Sequence, residues 1–153
     1  MTLTQKETSL IKDLRSQEQL CVEKYAKYAS EACDGQLKNL FMSIGQVEQG
    51  HIQTLDQIAG GIVPQMDNGA QKPASPPFSG GNATQSCDEK KKDAYLCSDA
   101  LATEKHVSAT YNTCIFEFSD PSVRNALNHI QKEEQEHGEK IYSYMSKNGM
   151  YNN

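Results

Sequence analysis

Apolar residues recur along most of this chain at alternating steps of three and four, which places them on one face of an α-helix. Two such patterns lie before residue 60 and two lie after residue 89. A short polar turn separates the two patterns of each pair, reading Cys-Asp-Gly-Gln in the first pair and Ser-Asp-Pro-Ser in the second. The periodicity therefore predicts an all-α protein with four long helices arranged as two helical hairpins.

Each predicted helix contains one continuous stripe, as in the interior seam of a four-helix bundle. The stripes are Ile11, Leu14, Glu18, Cys21, Tyr25, Tyr28 and Ala32; Leu37, Phe41, Ile44, Glu48, His51, Leu55 and Ile58; Cys97, Ala100, Glu104, Val107, Tyr111, Cys114 and Phe118; and Val123, Leu127, Ile130, Glu134, His137, Ile141 and Tyr144. Every stripe has a glutamate near its middle, and the second and fourth add a histidine one turn later. The pattern predicts a largely apolar interior interrupted by a polar layer at mid-height.

Helix-start signals stand in front of all four patterns. The predicted N-caps are Thr4, Asp34, Ser86 and Asp120. The first and third of them are followed three residues later by a glutamate, which is the capping-box pattern. Pro121 follows the last cap, at the first helical position, where a missing N–H costs nothing.

A stretch rich in proline and glycine, residues 60–89, divides the chain and has no helical periodicity. We interpret it as a linker, flexible at least in part, between a first hairpin at residues 5–59 and a second at residues 90–147. A chain of this length supports one domain, residues 1–153. The linker is long enough to cross the whole bundle, so the second and third helices are expected to run roughly parallel.

The two hairpins resemble each other in sequence. A shift of 86 positions aligns residues 7–58 with residues 93–144, and 11 of these 52 pairs are identical. The identical pairs include Glu18 and Glu104, Tyr25 and Tyr111, Asp34 and Asp120, Glu48 and Glu134, and His51 and His137. Because the identities fall on caps, stripes and both Glu-x-x-His pairs without a gap, we infer an internal repeat.

The polar residues of the stripes are expected at one height. Glu18 and Glu48 lie about 15 and 14 residues from the first turn, which corresponds to roughly 21–23 Å along each helix. Burying four carboxylates without counter-charge is costly, and the stripes contain no lysine or arginine. Two divalent cations would balance them with neutral imidazoles. The predicted metal ligands are Glu18, Glu48, His51, Glu104, Glu134 and His137.

Composition narrows the class of partner. The formal net charge is −5, which gives no reason to expect nucleic acid or an anionic membrane as a partner. The sequence has no apolar run of 18 residues and no signal-peptide pattern after its first methionine, so we expect synthesis in the cytoplasm without secretion by a signal peptide. The five cysteines form no Cys-x-x-Cys pair, which favours free, mostly buried thiols.

The six ligands resemble the dinuclear carboxylate arrangement of ferritin-like proteins, in which two helices give one glutamate each and two give Glu-x-x-His. The stretch EQLCVEKYAKYASEA, residues 18–32, also looks like the first metal helix of the rubrerythrin group. The resemblance implies that Glu48 and Glu134 bridge two metals, that Glu18 and Glu104 are terminal ligands, and that each histidine holds one metal. Rubrerythrins also have a cysteine-paired iron domain, which this chain lacks.

The end of the chain, residues 118–153, resembles the Coat F family of bacterial spore coat proteins down to its closing YMSKNGMY, and residues 7–25 fit the start of that family's relatives. That group shares the ferritin-like four-helix fold. The resemblance implies assembly into the spore coat, with other spore coat proteins as partners. It leaves the oligomeric state open, a homo-oligomer included.

Two functions follow from these expectations. One is a coat-associated protein whose iron or manganese pair reacts with oxygen or peroxide, as a ferroxidase, peroxidase or catalase. The other is a structural coat component whose metal site is only stabilising or empty. Iron storage is a third, weaker alternative because it needs a closed shell. The sequence leaves the choice between iron and manganese open, and it does not decide whether the protein is an enzyme.

Several further residues have two interpretations. Tyr25 and Tyr111, two turns from their stripe glutamates, are either half-polar core residues or residues that relay an electron or hydrogen-bond to a ligand. Cys21 is either a small buried apolar residue or a thiol close to the metals. His106 and His129 fall off the stripes and are expected at or near the surface, whereas Gly50 would let a helix or solvent come close to the site.

Overall fold

In the computed structural model, residues 1–66, 78–79 and 85–151 are described. Four α-helices account for most of them: α1 (Gln5–Glu31), α2 (Gly35–Ala59), α3 (Cys87–Ile115) and α4 (Pro121–Lys147). No β-strand occurs among the described residues. The predicted all-α architecture is confirmed.

The helices begin and pack as their sequence patterns predict. Thr4, Asp34, Ser86 and Asp120 are the N-caps, and the first and third are complete capping boxes. Every residue of the four predicted stripes is buried. The buried stripes are the main source of stability because caps contribute about 1 kcal/mol each, whereas a buried aliphatic or aromatic side chain contributes roughly 1.5–3 kcal/mol.

The contacts between helices fix their directions. Residues near the start of α1 pair with the end of α2, as in the 2.5 Å contact between Arg15 Nε and Asp56 Oδ1. The start of α1 also pairs with the end of α3 through Lys6 and Glu117, and the Tyr28 hydroxyl, near the end of α1, donates to Asp99 on α3. Since α1 is antiparallel to both α2 and α3, those two helices run parallel, as the long crossover predicts.

The apolar core consists of two clusters. One contains residues such as Leu14, Leu55 and Leu127, and the other contains residues such as Phe41, Leu96 and Ile141. The predicted polar residues of the four stripes belong to neither cluster. The interior therefore has apolar residues on both sides of the polar layer.

A carboxylate of each hairpin accepts backbone hydrogen bonds from the turn of the other hairpin. Asp93 on α3 is fully buried, and its carboxylate accepts the backbone N–H groups of Cys33 at 2.8 Å and of Asp34 at 3.0 Å. Glu7 on α1, the residue that the 86-position shift pairs with Asp93, accepts the backbone N–H of Ser119 at 3.1 Å. These carboxylates fix the height of each hairpin against the other, which sets the level at which the polar residues meet.

The linker requires one correction. The predicted linker extends to residue 89, but α3 begins at Cys87. Residues 87–89 are helical because the capping box of Ser86 opens the helix there. Residues 67–77 and 80–84, most of the predicted linker, lie outside the described residues. Phe78 is described and makes an edge-to-face contact with Tyr144, with ring centroids 5.5 Å apart.

None of the helices in the described ranges is both long enough and apolar enough to cross a membrane.

Candidate metal centre

All six predicted ligands meet at mid-height. They form two overlapping groups of four, within each of which one oxygen or nitrogen per residue lies within 4.8 Å of the others. The first group is Glu18, Glu48, His51 and Glu134, and the second is Glu48, Glu104, Glu134 and His137. Each helix contributes to this layer, and the two groups share the glutamates of α2 and α4.

The shared glutamates contact both imidazoles. Glu48 Oε2 lies 3.0 Å from Nδ1 of His51, and Glu48 Oε1 lies 3.3 Å from Nδ1 of His137. Glu134 Oε1 lies 3.0 Å from the first of these nitrogens, and Glu134 Oε2 lies 3.6 Å from the second. Each of these carboxylates therefore spans the space between the two histidines.

The glutamates of α1 and α3 each belong to one side. Glu18 Oε1 lies 3.5 Å from Nδ1 of His51, and Glu104 Oε1 lies 3.5 Å from Nδ1 of His137. The two imidazole rings are stacked with centroids 6.0 Å apart. The arrangement has an approximate twofold symmetry that corresponds to the sequence repeat.

Two tyrosines donate hydrogen bonds across the bundle to the glutamates of α1 and α3. The Tyr111 hydroxyl donates to Glu18 Oε1 at 2.5 Å, and the Tyr25 hydroxyl donates to Glu104 Oε1. Burial raises the pKa of both tyrosines, and the carboxylate that each faces raises it further. The hydroxyls therefore remain donors, and each tyrosine is hydrogen-bonded to one of the glutamates predicted as ligands.

The layer leaves many polar atoms without partners. Among the described residues, eight buried side-chain oxygen or nitrogen atoms lack a hydrogen bond, and seven of them belong to the six predicted ligands. The eighth is Gln17 Oε1. Each buried polar atom without a partner costs roughly 1–3 kcal/mol, so their concentration at one place is unusual for a folded interior. Carboxylate oxygens and imidazole nitrogens in this number fit divalent cations.

The carboxylates differ in their affinity for protons. Burial raises the pKa of Glu18 to about 7, and burial together with the neighbouring Glu104 raises the pKa of Glu134. Burial also acts to raise the pKa of Glu48, but the adjacent imidazoles of His137 and His51 lower it on balance. The pKa of Glu104 is likewise lowered because Glu134 and His137 outweigh the effect of its burial.

The pKa of each histidine shifts in the direction opposite to that expected for an isolated buried imidazole. Burial acts to lower the pKa of His51, but four surrounding carboxylates outweigh it and raise the pKa well above its usual value. The same balance raises the pKa of His137. On side-chain charges alone, two imidazolium ions can therefore balance two ionised carboxylates beside two protonated ones. The sequence reasoning, which treated both imidazoles as neutral, missed this second route to neutrality.

Cys21 is buried, and burial beside the ligand glutamates raises the pKa of its thiol. It belongs to neither group of four, and its side chain is part of the apolar cluster that contains Leu14. The structure therefore favours the small buried residue over the thiol ligand.

His106 is exposed as expected, and His129 is partly buried. A Cβ added at Gly50 would meet nothing within 4 Å, so no neighbouring helix uses this glycine for close approach.

One residue beside the site was not predicted. Glu133 Oε1 lies 3.4 Å from Nε2 of His51 and 3.0 Å from Nε2 of His129. It lies off the α4 stripe, so the hydrophobic pattern gives no reason to select it. The four-residue spacing from His129 was a detectable signal, because such residues are neighbours on a helix.

Comparison with known proteins supports the fold and part of the family resemblance. Residues 92–153 match the family model of the Coat F domain. The chain is similar to a crystal structure of a two-domain protein from Anabaena variabilis that contains DJ-1/ThiJ/PfpI-like and ferritin-like domains, with a TM-score of 0.68 and 18% sequence identity. The match covers 92% of this chain and 36% of the other, so the chain spans about a third of that protein. No curated protein matches this sequence.

The Coat F match includes residues 118–153 and extends upstream into α3, but residues 7–25, on which the resemblance also rests, lie outside the match. The ferritin-like fold extends over both hairpins. This chain thus has the fold of a ferritin-like four-helix bundle, and its second hairpin, from residue 92 onward, matches the Coat F domain model.

Proposed function

We propose that this protein is associated with the spore coat and holds two divalent ions, iron or manganese, that react with oxygen or peroxide. The observation that carries the proposal is the pair of shared carboxylates: Glu48 and Glu134 each direct one oxygen towards each histidine. Two positions, each with three carboxylates and one imidazole, suit these metals, which accept both oxygen and nitrogen ligands.

The residues would have distinct roles in this site. Glu48 and Glu134 would be shared by the two ions, and Glu18 and Glu104 would each be a ligand of one ion. His51 and His137 would hold one ion each. When bound, iron or manganese would carry electrons from one molecule of peroxide, oxidised to oxygen, to another, reduced to water; in the ferroxidase reaction added ferrous iron would be the reductant of oxygen.

The protein's own groups set the conditions for that chemistry. The hydroxyls of Tyr25 and Tyr111 each donate to Oε1 of Glu104 and Glu18, the oxygen that faces a histidine, and so fix the orientation of these carboxylates. The apolar clusters above and below exclude bulk water and strengthen the electrostatic interactions within the layer.

The test is turnover of hydrogen peroxide by protein loaded with iron or with manganese, beside Glu48→Ala and a matched control, His106→Ala. The control removes a histidine that lies on the exposed surface of α3. We expect turnover in the wild type and the control and its loss in Glu48→Ala. Oxygen consumption during addition of ferrous iron tests the ferroxidase reaction in the same three proteins.

A structural coat component is the second candidate, and one observation favours it. The charges of the layer can balance without metal, through imidazolium ions and protonated carboxylates. In that case Glu48→Ala would lower the melting temperature while the loaded wild type showed no turnover. That combination of results would contradict the redox proposal and leave the structural one.

A further inference from the structure

The two halves of the metal centre differ on the outer side of the histidines. Nδ1 of each imidazole faces the shared carboxylates, so Nε2 carries the proton when Nδ1 is a ligand. Nε2 of His51 lies 3.4 Å from Glu133 Oε1, and that oxygen is also 3.0 Å from Nε2 of His129. One half of the site therefore has a carboxylate behind its imidazole, with a second histidine behind that carboxylate.

The repeat does not supply the same groups to the other half. The 86-position shift pairs Glu133 with Val47 and His129 with Ser43. Valine has no polar side-chain atom, so the first hairpin provides no carboxylate at this position for His137. The asymmetry contrasts with the matching of all six ligands and both tyrosines between the halves.

A carboxylate behind a metal-bound imidazole fixes its tautomer and orientation and makes it a more basic ligand. The effect on metal affinity is typically 10- to 100-fold. Glu133 is placed for this role because its side chain is only 12% exposed and is itself held by His129. At 3.4 Å, Nε2 of His51 and Oε1 of Glu133 do not form a hydrogen bond in this structure, so the contact that we infer requires a small shift of either side chain.

We propose that Glu133 is a positioning residue that makes the two metal positions unequal. The position formed by His51, Glu18 and the two shared glutamates binds its ion first and more tightly than the position formed by His137 and Glu104. This inference rests on the proposed dinuclear site and adds an order of filling to it.

The experiment is a titration of the purified full-length chain with zinc in the presence of a chromophoric chelator. The proteins compared are the wild type, Glu133→Ala and the repeat-related control Val47→Ala. We expect two wild-type dissociation constants that differ at least about tenfold. Glu133→Ala should weaken the tighter one by about 10- to 100-fold and leave the other unchanged, and Val47→Ala should change neither.

A second readout separates positioning from general loosening of the fold. In the zinc-loaded wild type, nitrogen–proton NMR should detect an Nε2–H of His51 that exchanges slowly with water. In Glu133→Ala this proton should exchange faster, while that of His137 stays the same. Glu133→Gln, which keeps an oxygen acceptor, should restore part of the protection.

The outcomes are distinguishable. A wild type that binds two zinc ions with equal affinity, or a Glu133→Ala variant that retains the wild-type constants, overturns the inference and leaves the dinuclear site standing. A wild type that binds no metal removes both.

Discussion

The first and second hairpins have the same side chains in the polar layer at mid-height and different side chains next to that layer. Glutamate, tyrosine and Glu-x-x-His recur at positions related by 86 residues, and each tyrosine bonds to the terminal glutamate of the opposite hairpin. Outside that layer, Cys21 corresponds to Val107 and Glu133 to Val47. The recurring residues are therefore those that each hairpin provides to its partner.

The ends of the bundle follow the same rule with one change of residue type. Glu7 holds the second turn and Asp93 holds the first, so the carboxylate is kept although the side-chain length is not. Reciprocal contacts of this kind require matching backbone positions in both halves. Glu133 of the second hairpin also reaches across to His51 of the first, but the repeat places Val47 at the reciprocal position, so this contact has no counterpart of the same chemistry there.

The largest effect on stability is expected at the reciprocal turn contacts. Asp93→Ala leaves the buried N–H groups of the first turn without their charged acceptor and should lower the free energy of unfolding by about 3 kcal/mol. Glu7→Ala should cost about 2 kcal/mol, because Glu7 makes one backbone contact to its turn and Asp93 makes two. Urea unfolding followed by circular dichroism measures both. Equal losses in the two variants would contradict the ranking.

The tyrosine contacts should be closer to equal. Tyr25→Phe and Tyr111→Phe each remove one hydroxyl and leave a buried carboxylate oxygen without a donor, at a cost of about 1–2 kcal/mol. Because the contacts are symmetric, we expect the two losses in unfolding free energy to agree within about 0.5 kcal/mol in metal-free protein. A loss confined to one variant would show that the halves are not equivalent at this level.

Acid should weaken the Glu7 contact. Hydrogen bonds from the backbone of Thr4 and Ser119 lower the pKa of Glu7 in the folded protein. Its contribution to stability is therefore present above the unfolded pKa of about 4.3 and is lost as the pH falls through the lower folded value. We expect wild type to exceed Glu7→Gln by about 1 kcal/mol at pH 6, with the difference narrowing below about pH 4.

Both proteins in that comparison share the titrating groups of the central layer, so the effects of those groups on stability cancel. Urea midpoints measured between pH 3 and pH 7 give the result. A difference that stayed constant down to pH 3 would mean that the Glu7 charge does not contribute.

The smallest effect concerns two glycines of α2. A Cβ at Gly50 would meet nothing within 4 Å, so Gly50→Ala should gain about 0.5–1 kcal/mol from helix propensity. At Gly45 the added Cβ would lie 3.4 Å from Tyr25 Cβ, so Gly45→Ala should gain less or nothing. Thermal unfolding of both variants tests the ranking, and a greater gain at Gly45 would contradict it.

The sequence predicts the helices, caps, stripes and six central residues because each depends on local spacing or on the repeat. A glutamate in the buried stripe of each of the four helices predicts a polar site, because a buried carboxylate requires a compensating charge or hydrogen bond. Glu133 and Asp93 escape this reasoning because their roles depend on contacts between helices that no single helical pattern encodes. The capping box predicts the start of α3 at Ser86, whereas the linker, bounded by its composition, overlaps the first three residues of that helix.

The protonation states of the side chains in the polar layer also cannot be predicted from the sequence. Whether an imidazole is neutral or protonated depends on how many carboxylates surround it and at what distance. Four carboxylates face His51, and one of them, Glu133, lies off the predicted stripes.

Metal content tests the central claim most directly. The chain would be expressed with iron and manganese both supplied, purified, and analysed for its elements beside a Glu48→Ala/Glu134→Ala double variant. The dinuclear site predicts about two iron or manganese ions per wild-type chain and none in the variant. A folded wild type that contains no metal would contradict it.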